Sequence, residues 1–570
     1  MPIGQAYTID KEAQRIRVLC PNFRCQMSQK KSRGEGIPVV VVDEEIYRTC
    51  PSIIIATVDK FARMTFEGRT QALFGIRDRY SPTLGHITPA HGNKPVGKLC
   101  KDAKKAKRLL PPELIIQDEL HLISGPLGTM VGLYETAIDF LSRVEKESGA
   151  TVRSKVIAST ATIRRAAQQV RQLYDRDLQV FPPSGLSSKD SFFAREIPTH
   201  DENNQTSDFT AGRLYVGVNA SGSSSKTLLV RVYASLLHAG LDHLVDPEIA
   251  QSGDPYGTLV GYFNSMRALG GAKRLVEDDV ALRRLYYLAR RDQSTFDRER
   301  RSQRYIDGAK ELTSRLASWE IPTLLKRMDV TFPRPAKGEK GTYPIDVLLA
   351  TNMISVGVDI DRLGLMVCTG QPKTTSEYIQ ATSRVGRQHP GLVVTMYNWV
   401  SPRDISHYER FKSYHAAYYR YVEPISVTPF SSRALDRGLH GMFGATQRLG
   451  QTQASEEFSA NQFDPTAPWA KATIEGIAER ATKLTSLAAQ GDHVRSVLNE
   501  QSDSWSQLKN ASVAYSKKKS SKSKDKDAAH HRLFRNLGDA KGGKWAAPNS
   551  LRDVEVTATF YLADDEESLS

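Results

Sequence analysis

At 570 residues the chain is long enough for two or three domains, and its 40% hydrophobic and 25% charged content is that of an ordinary globular protein. No run of eighteen apolar residues occurs, which excludes a helical membrane span, and the opening MPIGQAYTIDKEAQR lacks the apolar stretch of a secretory signal. The net charge of +14 favours polyanionic partners, nucleic acid above all, and five cysteines make no disulfide framework in a chain of this length, so a reducing cytoplasm is the expected setting.

Cys20 and Cys25 come first, in CPNFRC. A C-x4-C pair is half a zinc site, and Cys50 and Cys100 complete it only if folding brings them close; plain thiols are the competing reading. Next, IPVVVVD (37–43) and SIIIATVD (52–59) read as buried parallel strands, being short apolar runs that end in polar residues. ELIIQDE (113–119), SKVIAST (154–160), TLVGYFN (258–264), IDVLLATN (345–352), LGLMVCTG (363–370) and GLVVTMYN (391–398) read the same way. Helical patterns at 131–147 and 375–387 lie between them, so the fold class is α/β with parallel sheets, and ligands are expected at the carboxyl ends of strands.

The strands fall into two groups, which predicts a first domain over 1–180 and a second over 211–400. A polar linker or insertion occupies 181–210, a charged helical insertion 272–318, and a mostly helical accessory region 401–570. Within that last region 516–531 is basic and of low complexity, a solvated loop or a phosphate contact.

Four stretches carry chemistry. LIIQDELH ends a strand on Asp118 and Glu119, followed by His121. Magnesium prefers hard oxygen ligands, so Asp118 can hold it, Glu119 can polarise an attacking water, and His121 can pass nucleotide state onward; an acidic helix cap is the competing reading. VIASTATI places the hydroxyls of Ser159, Thr160 and Thr162 at the next strand end, as a relay of hydrogen bonds or as a plain serine/threonine turn. In LLATNMISVGVDI, Thr351 and Asn352 end a strand, Gly357 permits a tight turn and Asp359 offers a carboxylate. In QATSRVGR, Gln380, Arg384 and Arg387 are spaced four and three apart, which on a helix puts a glutamine and two guanidiniums on one face.

The order TVDKFA (57–62), DELH (118–121), STAT (159–162), ATNMISVGVDI (350–360), QATSRVGR (380–387) resembles superfamily 2 helicases from their third conserved block onward, over about 350 residues. The resemblance implies two RecA-like domains that bind ATP and nucleic acid across them, the first lacking its N-terminal part. It matches Asp118 and Glu119 to the Walker B pair, Ser159 and Thr160 to the coupling motif, Gly357 and Asp359 to the fifth motif, and Arg384 and Arg387 to the arginine-finger motif. Thr57 and Lys60 match a strand end that touches the nucleic-acid backbone, with Thr351 expected to touch it as well, and Gln380 is expected at the nucleotide. Ser383 stands where many relatives have glycine. VVDEEIYRTCPSIIIATVDKFA, GYFNSMRALGGAKR, VEPISVTPFSSRALDRGL and APNSLRDVE look like the helicase subunits of bacterial DISARM antiphage systems, which implies a DNA substrate and a partner subunit of the same system.

The phosphate loop of these enzymes, G-x-x-x-x-G-K-[ST], does not precede TVDKFA. GNKPVGKL (92–99) has the glycine and lysine spacing, but Leu99 replaces the magnesium-binding hydroxyl and no apolar strand leads into it. The expectation is therefore an ATP- and magnesium-dependent DNA helicase or translocase whose phosphate loop comes from a separate or missing segment. The alternative is a non-hydrolysing nucleic-acid-binding subunit of a defence complex.

Overall fold

The computed structural model describes residues 7–10, 15–92, 102–160, 165–183, 192, 212–245, 250–288, 306–317, 319–332, 342–355, 359–424, 426–516, 531–539 and 542–552. They divide into two units, one holding 1–160, 165–179 and 425–570, the other 161–164 and 180–424.

In the first unit the expected strands at 37–43 and 52–59 do not form. Val42 caps a short helix, α1 (Asp43–Thr49), and Val41, Ile53 and Ile55 are 58%, 81% and 95% exposed. An apolar run becomes a strand only beside a partner that takes its backbone hydrogen bonds, and among the described residues these runs have none. Two expected strands do form. β1 (Leu114–Gln117) lies parallel to β2 (Lys155–Ala158), with Ile115 opposite Val156 and Ile116 opposite Ile157. Between them runs α2 (Gly125–Leu141), started by Pro126 in its first turn and apolar almost all round, with Leu133, Tyr134 and Ala137 fully buried. α3 (Ala166–Tyr174) packs on α2.

Two carboxylates interrupt the apolar surface of α2. Asp139 is neutralised by Arg143, Arg153 and Arg176, at 2.9, 2.6 and 3.4 Å. Glu135 is buried, and burial pushes its carboxyl up to about 7, with Arg480 pulling it down and Asp139 adding to the rise. A raised carboxyl favours folding while protonated and opposes it once ionised, so stability is lost as pH climbs from the usual carboxylate range through about 7. Urea unfolding at pH 5 and pH 8 is expected to differ by about 3 kcal/mol through this group, and Glu135→Gln is expected to flatten that difference. An unchanged pH profile in the variant would remove the assignment.

The second unit carries a six-stranded sheet. Its strands are β3 (Arg213–Asn219), β4 (Leu259–Phe263), β5 (Ala309–Leu312), β6 (Val347–Ala350), β7 (Leu365–Thr369) and β8 (Gly391–Tyr397). Their order is β3-β8-β7-β4-β6-β5 and every pairing is parallel. α4 (Ser225–Val245), α5 (Met266–Leu275) and α6 (Thr375–Thr382) are the connecting helices. One face buries Tyr233, Phe263, Val347 and Val367, the other Tyr262, Met366, Cys368 and Tyr378, so both faces are covered as a parallel sheet requires. The expected insertion at 272–318 is only partly one: helix continues past α5 to Leu288, but β5 near its end is the outer strand of the sheet. Only Ala309 and Leu312 of β5 are buried, and an edge strand with two polar residues carries no apolar signal.

Residues 401–570 do not form one accessory region, because 425 onward groups with the first unit. Three helices dominate there, α7 (His440–Gly450), α8 (Pro468–Thr485) and α9 (Ala488–Ser506). α7 is buried nearly all round; Thr65 donates to the carbonyl of Gly441 at 3.0 Å and Gln71 to that of Leu449 at 3.1 Å. Such pairings join residues more than 370 apart in sequence, beyond the reach of local pattern. Most of the basic stretch 516–531 lies outside the described residues.

Candidate functional site

The parallel pairing of β1 and β2 brings both strand ends together. Asp118 follows β1 directly and its Oδ1 accepts hydrogen bonds from the Glu119 amide, at 3.0 Å, and from the Ser159 hydroxyl at the end of β2. Ser159 is tied in turn by its amide to the Gln117 carbonyl and by its carbonyl to the Leu120 amide, each 2.9 Å. Glu119 has φ +50°, a left-handed backbone that a side-chain-bearing residue takes only where its surroundings hold it there. Gln169 does some of that holding, donating to the carbonyls of Leu120 and Ile123 at 3.1 and 2.7 Å. The Nδ1 of buried His121 stands 3.3 Å from Glu119 Oε2 and 3.3 Å from Thr160 Oγ1. Asp118, Glu119, His121, Ser159 and Thr160 thus form one hydrogen-bonded cluster, while Thr162 lies outside the described residues.

The donor set fits magnesium. Asp118 is exposed at the strand end, its carboxylate is a hard oxygen ligand, and two hydrogen bonds fix its direction. The Glu119 side chain is 40% exposed and held at one oxygen, as a group that must orient a water requires. The cysteines do not make a comparable set: among the described residues no group of three or more His, Cys, Asp or Glu side chains is placed to hold a metal ion.

Thr57 is exposed and caps a short helix, Val58–Thr65. Lys60 Nζ lies 2.9 Å from Asp43, an exposed pair of small energetic weight, so its ammonium is cheaply available to a phosphate.

In the second unit Thr351 ends β6 but is buried, only 7% exposed. Gly357 lies outside the described residues. The helical face expected for Gln380, Arg384 and Arg387 does not exist, because α6 ends at Thr382 and only Gln380 is on it. Gly386 has φ +70° and packs so tightly on Gly391 that an added Cβ would come within 2.7 Å of it, which forces the turn that stops the helix. Arg387 pairs with Asp359 and lies 3.6 Å from Asp361. That pairing ties two of the predicted residues together across 28 positions. Sequence reading missed a polar cavity of about 340 Å³ at the carboxyl ends of four strands, lined in part by Asn264, Gly370, Gln371 and Asn398. Its residues come from separate loops and share no local motif.

A parallel six-stranded sheet that carries the ATNMISVGVDI and QATSRVGR motifs at its strand ends is the second RecA-like domain of a superfamily 2 helicase. Residues 337–389 match the family described as helicase conserved C-terminal domain. Over 450 residues the chain resembles the DISARM protein DrmA of Bacillus paralicheniformis, with 47% identity across 79% of this chain and 38% of that protein. The ATP-dependent DNA helicase RecG of Mycobacterium leprae is 32% identical over 141 residues, 23% of this chain and 19% of that protein. The crystal structure of the helicase MrfA bound to DNA and AMPPNP is similar at 15% identity and a TM-score of 0.36, covering 60% of this chain and 38% of that one. The chain therefore spans about two fifths or less of the length of these relatives. Among the described residues no helix is long and apolar enough to cross a membrane.

Proposed function

We propose that the chain acts as an ATP-dependent DNA helicase or translocase of superfamily 2, in the cytoplasm, as part of antiphage defence together with a partner subunit. The observation that carries this reading is the Asp118–Glu119–His121–Ser159–Thr160 cluster at two adjacent parallel strand ends. Bound magnesium and ATP supply the phosphoryl group and the charge that positions it. Asp118 holds the metal, and Glu119, steadied by His121, takes the proton of the attacking water. Ser159 and Thr160 sense the occupancy of that site through their hydrogen bonds. Gln380, Gly357 and Asp359 serve nucleotide binding, and Arg384 and Arg387 neutralise phosphate charge, with Arg387 exchanging Asp359 for the phosphate. Thr57, Lys60 and Thr351 serve the DNA backbone.

The test is DNA-stimulated ATP hydrolysis by the purified chain, alone and mixed with the polypeptide encoded immediately upstream. Hydrolysis by neither removes the enzyme reading. The second reading, a DNA-binding subunit that does not hydrolyse ATP, is favoured by the missing phosphate-loop hydroxyl at Leu99. Both readings predict binding that weakens steeply with salt, since each neutralised phosphate releases counterions. In a titration at several salt concentrations, Lys60→Ala is expected to weaken binding on every DNA sequence and to lower the salt slope by about 1. An unaltered slope removes Lys60 from the DNA contact.

A further inference from the structure

Parallel sheets are covered on both faces, because crossover helices lie on each side. The β1–β2 pair is covered on one. Ile115 and Val156 face α2, where they line a small cavity with Glu135 and Ile138. Leu114, Ile116 and Ile157 point the other way and are 46%, 66% and 45% exposed. Among the described residues neither outer edge of the pair bonds to a further strand. Ile53, Ile55 and Val41 of the same unit are equally bare, in extended stretches of strand-forming composition. A contiguous apolar face of this kind on a water-soluble domain marks a binding surface.

We propose that the bare face and open edges of the β1–β2 pair are the docking surface for a polypeptide segment of parallel α/β type. That segment adds strand to the pair, lays a helix over Leu114, Ile116 and Ile157, and brings a glycine-rich phosphate loop to Asp118 and Glu119. Strand direction argues for this occupant. A strand added in parallel ends level with Gln117 and Ala158, and a phosphate loop is a loop that leaves the carboxyl end of such a strand. The loop would then face the cluster whose nucleotide cradle the chain itself does not supply. A second copy fits worse, because a two-fold axis pairs identical edges antiparallel and sends the opposed carboxyl ends apart. The length of the relatives agrees: DrmA of Bacillus paralicheniformis extends well beyond the 38% of it that this chain matches. The phosphate loop rests on the proposed nucleotide reading, whereas the docking does not.

The test uses the full chain, the unmatched remainder of that DrmA as the probe, and the variant Ile116→Asp/Ile157→Lys. Both changed positions are solvent-exposed, so the variant is expected to keep the urea midpoint of the free chain. The expected result is a one-to-one complex in which amides of 53–57, 114–117 and 155–158 exchange roughly tenfold or more slowly than in the free chain, with complex and protection both lost in the variant. The proposal is overturned by failure of the probe to bind, by equal binding to the variant, by dimerisation of the chain through this face, or by protection of those amides already in the free monomer. ATP hydrolysis is read separately: a complex that forms but does not hydrolyse leaves the docking standing and removes the enzymatic reading.

Discussion

Glu119→Gln is expected to lower DNA-stimulated ATP hydrolysis by about 10²- to 10⁴-fold, the usual contribution of a positioned proton acceptor, while leaving nucleotide affinity nearly unchanged. The substitution keeps the shape of the side chain, and the amide oxygen can still face His121 Nδ1, 3.3 Å away in the native cluster. What it removes is the capacity to take a proton. Asp118→Asn should behave differently, because the lost charge is the one that meets magnesium; nucleotide affinity itself should fall. Measuring the turnover rate and the affinity for a non-hydrolysable nucleotide side by side separates the two roles. Hydrolysis that survives Glu119→Gln would take the carboxylates out of the chemistry.

Arg448→Met is expected to cost the first unit about 3–5 kcal/mol, the range found when one partner of a buried charge pair is removed. Arg448 is only 2% exposed. Its guanidinium meets Glu457 at 2.9 Å and the carbonyls of Thr65 and Ser455 at 3.2 Å each, and it lies 3.9 Å from the centre of the Tyr515 ring. Methionine fills a similar volume but leaves Glu457 without its cation and two carbonyls without donors. The Glu457 side chain is only 14% exposed, so water repairs little of this. Urea unfolding of the variant measures the cost, and Arg448→Met/Glu457→Gln should recover much of it, since the orphaned charge is then gone. A loss under 1 kcal/mol would mean that Arg448 is dispensable to the packing of 425–552 against the first strands and helices.

Much of the nucleotide cluster was legible in the chain. LIIQDELH and KVIAST are short apolar runs closed by polar residues, and parallel strands that end level must place Asp118 beside Ser159. The second sheet was legible for the same reason: four of its six strands are continuous apolar runs, which strands buried on both faces require. β5 escaped notice because an edge strand buries only Ala309 and Leu312. The arginines show the opposite failure. A spacing of four and three has meaning only on a helix, and whether the helix lasts to Arg387 is decided by the close approach of Gly386 to Gly391 across the fold.

By itself, then, the sequence determined the α/β class, the parallel strands of the second unit and the carboxylates, histidine and hydroxyls that meet at the end of β1 and β2. These are set by composition and period within a dozen residues, where local chemistry decides. Only the tertiary structure decided that 425–552 belongs with the first unit, since the buried Arg448 bonds to Thr65 across 383 positions. It also decided that VVVV and SIII, with every local mark of buried strands, stand in water in this chain. Local apolarity states what a segment would gain by burial; only the presence of a partner determines whether that gain is realised.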